Sequence, residues 1–164
     1  MDLQKILHGH SSSVHCVALS QDSRYIASGD ASGSIILHST SSNKVEYRAD
    51  NVFLSVKSLC FLPKSSGLVA CGYDGRRHSG NLKVFSSPSL ELVQTLGGHN
   101  GGVCVTVSPS YSHIASNVSD KKVMLWSELG EGGELARVQV LEDHGSIFDM
   151  CFSPDGKQLA TGSY

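Results

Sequence analysis

The sequence predicts an all-β fold, about three and a half repeats of a four-stranded antiparallel sheet that do not close on themselves. Three observations carry this. Short apolar runs alternate with Gly, Ser, Pro and Asp turn signals, and no stretch holds a helical period long enough for a helix. A quartet recurs as Ile26-Ala27-Ser28-Gly29, Val69-Ala70-Cys71-Gly72, Ile114-Ala115-Ser116-Asn117 and Leu159-Ala160-Thr161-Gly162, at intervals of 43, 45 and 45 residues. Ahead of each quartet lies a strand-like run ending at a turn: Ala18-Leu19-Ser20, Cys60-Phe61-Leu62-Pro63, Thr106-Val107-Ser108-Pro109 and Cys151-Phe152-Ser153-Pro154.

Residues 98–127 give the clearest unit. It opens on Gly98-His99, runs through Val103-Cys104-Val105-Thr106-Val107, turns, repeats the quartet, and reaches Asp120 and then Val123-Met124-Leu125-Trp126. A repeat near 45 residues with three or four strands per unit points to the blades of a propeller. With its Gly-His, Asp and Trp at these spacings, the unit resembles one WD repeat. The resemblance extends along the chain and sets the expected organisation. Residues 1–8 supply an outer strand, 9–44 the first blade, 45–90 the second, 91–134 the third and 135–164 an incomplete fourth. Within these, residues 127–134 read as a Gly/Glu-rich connection, and residues 135–141 as the outer strand of the fourth blade. Propellers close with four to eight blades, and a blade buries its faces only against neighbours. The chain therefore reads as a fragment of a longer WD protein, with completion of the ring by a second chain as the minor alternative.

The WD resemblance also gives the polar residues a role. It implies that His99, Ser116 and Asp120 link by hydrogen bonds to the indole N–H of Trp126. Buried imidazole and indole groups need such partners. A hydrolase triad is the competing reading of the same His, Ser and Asp. It is the weaker one, because the chain has no Gly-x-Ser-x-Gly nucleophile elbow. Elsewhere the set is partial. The first blade keeps His10 and Ser28, with Ser32 at the acid position and His38 at the Trp position. The second has Cys71, Ser79 and Phe85 in place of Ser, Asp and Trp. The fourth has His144 and Thr161.

Composition fits this and excludes other classes. The chain has 164 residues, 40% hydrophobic and 17% charged, enough apolar material for a packed core. Net charge is −2, which gives no footprint for nucleic acid. No apolar run approaches the roughly 18 residues of a membrane span. The first residues lack a signal-peptide core, so a cytoplasmic location is expected, with the nucleus an alternative. Of five cysteines, Cys16, Cys60, Cys104 and Cys151 fall on first strands and are expected to share one face as small hydrophobes. No Cys-x-x-Cys occurs, and His8, His10 and His15 with Cys16 match no standard metal spacing, so no metal or cofactor is expected. The glycines of 97–102 precede no helix or Lys-Ser/Thr and are not a phosphate loop. Asn117-Val118-Ser119 is a glycosylation sequon only in a secreted protein.

One departure suggests a partner site. Val69 to Phe85 is four residues longer than Ile26 to His38 or Ile114 to Trp126. The excess falls around Arg76, Arg77 and His78, on the rim that carries the Gly-His loops. Arginines flanked by glycines suit recognition of carboxylates or phosphates, against the plainer reading of a solvated insertion. Lys57, Lys64 and Lys83 add to the positive charge of this blade, while Glu128, Glu131, Glu134, Glu142, Asp143 and Asp149 lie further on. Residues 25–39, which carry Ile-Ile-Leu-His-Ser where most WD repeats end in Trp-Asp, resemble a blade of the WD proteins that recruit the γ-tubulin ring complex. That resemblance implies a non-enzymatic scaffold in microtubule nucleation at the centrosome or spindle, with γ-tubulin complex or centrosomal components as partners and no small-molecule substrate. The alternative is a general WD adaptor or substrate receptor in another pathway.

Overall fold

A computed structural model describes residues 5–62, 65, 67–75, 80–97, 104–109, 113–118, 121–129, 134–142 and 145–163. Every element among them is a strand. Sheet one holds β1 (Val14–Leu19), β2 (Tyr25–Asp30), β3 (Ile35–Ser39) and β4 (Val45–Ala49). Sheet two holds β5 (Ser55–Phe61), β6 (Leu68–Tyr73), β7 (Gly80–Phe85) and β8 (Leu92–Leu96). Sheet three holds β9 (Val105–Val107), β10 (Ile114–Val118), β11 (Lys122–Leu129) and β12 (Glu134–Glu142). Sheet four is the pair β13 (Ile147–Phe152) and β14 (Leu159–Ser163). All pairings are antiparallel, each strand beside the next in sequence.

The turn between the first two strands of sheet one recurs in sheet four and in part in sheet three. Ser20 Oγ donates to Asp22 Oδ1 at 2.7 Å, and the same carboxylate oxygen accepts from the Arg24 N–H at 3.1 Å. The Tyr25 N–H donates to Ser20 Oγ at 2.9 Å, closing the hairpin into β2. Sheet four repeats the device with Ser153, Asp155, Lys157 and Gln158. In sheet three the His113 N–H donates to Ser108 Oγ at 3.1 Å. A Ser at the strand end and an Asp two residues on thus supply what the turn backbone lacks.

The sheets are offset from the sequence repeats by one strand. The repeat units 45–90, 91–134 and 135–164 each open with a strand that closes the preceding sheet: β4 pairs with β3, β8 with β7 and β12 with β11. The segment expected as the outer strand of the fourth blade therefore belongs to sheet three, where it pairs with β11 along its length. A tight β3–β4 turn, with Asn43 at φ 56°, makes pairing with the strand just finished the shorter path. The expected connection 127–134 is also shorter, since β11 continues to Leu129 and β12 starts at Glu134. Of the expected outer strand in 1–8, residues 5–8 are not a strand and residues 1–4 lie outside the described residues.

Three cores join the sheets in series. Ala27, Ile35 and Leu37 of sheet one pack on Leu59, Phe61, Leu68, Ala70 and Phe85 of sheet two. The other face of sheet two, with Cys60, Val69, Cys71, Leu82 and Val84, packs on Val105, Ile114, Met124 and Trp126 of sheet three. Cys104, Ala115 and Val123 pack on Ile147 and Met150 of sheet four. The innermost strands β1, β5, β9 and β13 touch in that order. The result is an open arc. Val17 and Leu19, on the face of β1 turned away from sheet two, are 68% and 58% exposed, and Phe148 of sheet four is 60% exposed. Cys16, Cys60 and Cys104 each pack toward the following sheet, and Cys151 is exposed at the end of the arc.

Gly33, in the β2–β3 turn, has φ +84°, and a β-carbon there would collide with the backbone carbonyl of Phe53, in the connection leading into β5. The turn of one sheet thus rests directly on the chain entering the next. Gly33→Ala should lose about 2 kcal/mol or more of stability, read as a lower urea midpoint, while Gly97→Ala, with open space around it, should change little.

Candidate functional site: buried polar networks and the turn-bearing rim

In sheet one a buried carboxylate organises the rim. Asp30, at the end of β2, is fully buried. Its Oδ1 accepts from the Ser32 N–H at 2.9 Å, the Ser32 hydroxyl at 2.7 Å and the Ser34 N–H at 3.0 Å. Its Oδ2 takes the His10 Nδ1–H at 2.7 Å. With Nδ1 protonated, His10 Nε2 accepts from the Ser28 hydroxyl at 2.8 Å. The acid of this network is therefore Asp30, two residues before the position read at Ser32, and Ser32 acts as its donor. Burial pushes the Asp30 carboxyl up, but the bonds from Ser34, Ser32 and His10 outweigh it and hold the group at about 2.

The network extends outward. Ser34 Oγ donates to Asp50 Oδ1 at 2.7 Å, Arg48 Nε donates to both Asp50 oxygens, and Arg48 Nη1 donates to the Gly9 carbonyl at 2.6 Å. His38 occupies the Trp position, paired with Ile26 as Trp126 is with Ile114. It donates Nε2–H to the His8 carbonyl at 2.9 Å instead of bonding Ser28.

Sheet three carries the indole version. Trp126 Nε1–H donates to Ser116 Oγ at 2.8 Å, and both residues are buried. His99 and Asp120 lie outside the described residues, as does His144. Thr161 sits on β14 opposite Met150 and is exposed. Asn117, which closes the third quartet, bridges two sheets. Its Oδ1 accepts from the Cys104 N–H at 2.8 Å and its Nδ2 donates to the Ile147 carbonyl at 2.8 Å, tying sheet three to sheet four. This amide is 2% exposed, which removes it as a glycan acceptor.

Sheet two corrects the alignment. Leu19 pairs with Ile26, Val107 with Ile114 and Phe61 with Leu68, so Leu68 is the equivalent of Ile26 and Ile114. The Ser position is then Ala70, not Cys71. A one-residue slip turns every side chain to the other face, and Cys71 faces sheet three. Phe85 pairs with Leu68 and does hold the Trp position. The excess between β6 and β7 is accordingly five residues. Arg76, Arg77, His78 and Ser79 fall in it and lie outside the described residues, as does Lys64. Its base is pinned. Asp74 Oδ2 meets Lys83 Nζ at 3.0 Å and accepts from Asn81 Nδ2 at 3.1 Å. Lys83 also donates to the Val52 carbonyl at 2.6 Å and lies 4.5 Å from the Phe53 ring centre. Glu128 is buried and accepts from the Ser65 N–H. Two charges expected to steer a partner are thus held internally.

The thiols are placed to pack. Burial pushes Cys16 and Cys60 up to about 12 and Cys104 to about 11, and raises Cys71 as well. Among the described residues no three His, Cys, Asp or Glu side chains converge as metal ligands.

The family described as "WD domain, G-beta repeat" matches residues 1–39, 90–127 and 135–164. This chain belongs to the WD40 family. The unmatched stretch between the first two segments holds most of sheet two, where Ala70 replaces the hydroxyl residue. Among curated relatives, Periodic tryptophan protein 2 of Saccharomyces cerevisiae is 28% identical over 73% of this chain and 13% of its own length. Small ribosomal subunit protein RACK1 of Drosophila melanogaster is 35% identical over 61% of this chain and 30% of its own. Probable cytosolic iron-sulfur protein assembly protein 1 of Botryotinia fuckeliana is 40% identical over 54% and 22%. The chain spans less than a third of each. WD40 repeats mark a protein-interaction scaffold, and the polar groups of the Asp30 and Trp126 networks hold turns and strands in place.

Two outcomes follow. Because the Asp30 carboxyl is lowered in the fold from 3.8 to about 2, its contribution is complete above pH 4 and drains away as pH falls through about 2. It is on the order of 2 kcal/mol, and Asp30→Asn should flatten that part of the stability–pH curve. Trp126→Phe should cost about 1–3 kcal/mol by removing the indole N–H that donates to Ser116 Oγ, read by chemical denaturation.

Proposed function

We propose that this chain is a non-enzymatic scaffold that presents its turn-bearing rim to protein partners within a larger assembly. One observation carries it. The Asp30 network fixes the β2–β3 turn, the approach of residues 8–10 and the end of β4 into one rigid edge. A rim held this way keeps its shape on binding and loses little entropy. The name of one relative, a small ribosomal subunit protein, supports work inside a larger assembly. The narrower reading, recruitment of γ-tubulin complexes at centrosome or spindle, draws on residues 25–39 alone and gains nothing from these relatives.

Affinity capture from cell lysate tests the rim. Leu54, 63% exposed beside β5, lies on it, and Gln21 lies on the opposite rim. Leu54→Arg should reduce recovered partners at least fivefold while Gln21→Arg leaves them unchanged. The reverse pattern would place binding on the other side.

A further inference from the structure

The first strands share an irregularity that points to a ligand. Register shifts lie between Val14 and Cys16, between Val56 and Ser58, and between Ile147 and Asp149. The residues left without a cross-strand partner are His15, Lys57 and Phe148, equivalent positions on β1, β5 and β13. A bulge re-aims its side chain away from the pleat. Each lies at the start of an innermost strand, the end that pairs toward the β2–β3 or β6–β7 turn, and so on the rim described above.

At the junction of sheets one and two, two of these residues meet. Lys57 Nζ is 3.3 Å from His15 Nδ1. The same Nδ1 lies 3.4 Å from Ser55 Oγ and 3.3 Å from the Val56 carbonyl. With Nδ1 accepting from the Lys57 ammonium, the imidazole proton sits on Nε2, which has no hydrogen-bond partner among the described residues and is the donor left for a ligand. The Lys57 ammonium stands 5.4 Å from the Tyr73 ring centre, which holds the cation in place. Arg48, Lys83 and Lys122 each have a carboxylate within ion-pair distance. Lys57 has none among the described residues. A cation and a neutral N–H donor converge across a sheet boundary, with no carboxylate in ion-pair distance of Lys57 among the described residues. Leu54 and Val14, 63% and 48% exposed, flank them with apolar surface.

We propose that His15 and Lys57 form an anion site that takes an acidic side chain of a protein partner, with an adjoining apolar residue of that partner on Leu54 and Val14. Lys57 supplies charge and His15 Nε2–H supplies direction to a carboxylate at this exposed junction. The proposal rests on the scaffold reading and names the chemistry of one place on the rim.

The test titrates the full chain with acetyl-Leu-Asp-Glu-Leu-amide, followed by NMR of the His15 imidazole and Tyr73 ring. Parallel titrations use the Asn-Gln counterpart and a phosphoserine peptide of the same frame. The acidic peptide should shift both rings and saturate, with the amide counterpart at least tenfold weaker. Lys57→Met should weaken binding at least tenfold, Lys57→Arg should keep it, and Lys122→Met should not matter, all three unfolding at the parent's midpoint. Equal binding by the amide peptide, indifference to Lys57→Met, or a response to the phosphoserine peptide alone would overturn the assignment. A silent peptide titration alongside loss of captured partners in Leu54→Arg would sink this site and leave the scaffold reading standing.

Discussion

Burial of sheet against sheet is the constraint on which everything else depends. Sheet two shows it best. Leu68, Ala70 and Phe85 go to one neighbour while Val69, Cys71, Leu82 and Val84 go to the other. Each fully buried aliphatic side chain contributes about 1.5–3 kcal/mol, and neither face of this sheet is left to water to stand alone. The position of every turn follows. The β2–β3 turn reaches Phe53 through Gly33, and Asn117 of sheet three reaches the Ile147 carbonyl of sheet four.

Given that packing, polar groups do local work. A turn emerging from a buried strand carries backbone N–H groups that no strand can satisfy, and Asp30 accepts two of them along with one hydroxyl and one imidazole. Sheet three solves a related problem with an indole donating to a serine. Among its described residues sheet two has neither a fully buried carboxylate nor an indole–serine pair. Ala70 and Phe85 stand where those groups would be, and the apolar contacts on both faces take their place. The repeats share a shape more strictly than they share a hydrogen-bond network.

Much of this was legible in the residues. The strands, their antiparallel order and the repeat near 45 residues follow from apolar runs and turn signals, and Trp126 with Ser116 from the resemblance to a WD repeat. Three things were not. The motif puts the acid of the first network at Ser32, but a carboxylate two residues earlier has the reach to meet His10. The quartet in the second unit was aligned on Gly72, which resembles Gly29. Only the pairing of Phe61 with Leu68 shows that the strand is shifted by one and that Cys71 faces the other way. The bulges leave no mark in composition at all, since His15, Lys57 and Phe148 share no chemistry. They share only a place in the ladder.

The one-strand offset between repeat and sheet has a practical consequence for cutting the chain. A protease nick or a splice junction placed at the edge of a sequence repeat, near residues 44, 90 or 134, would not separate neighbouring sheets. It would leave β4, β8 or β12 on one piece and the three strands it completes on the other. The two products would stay zipped along that strand, each repeat holding its neighbour closed.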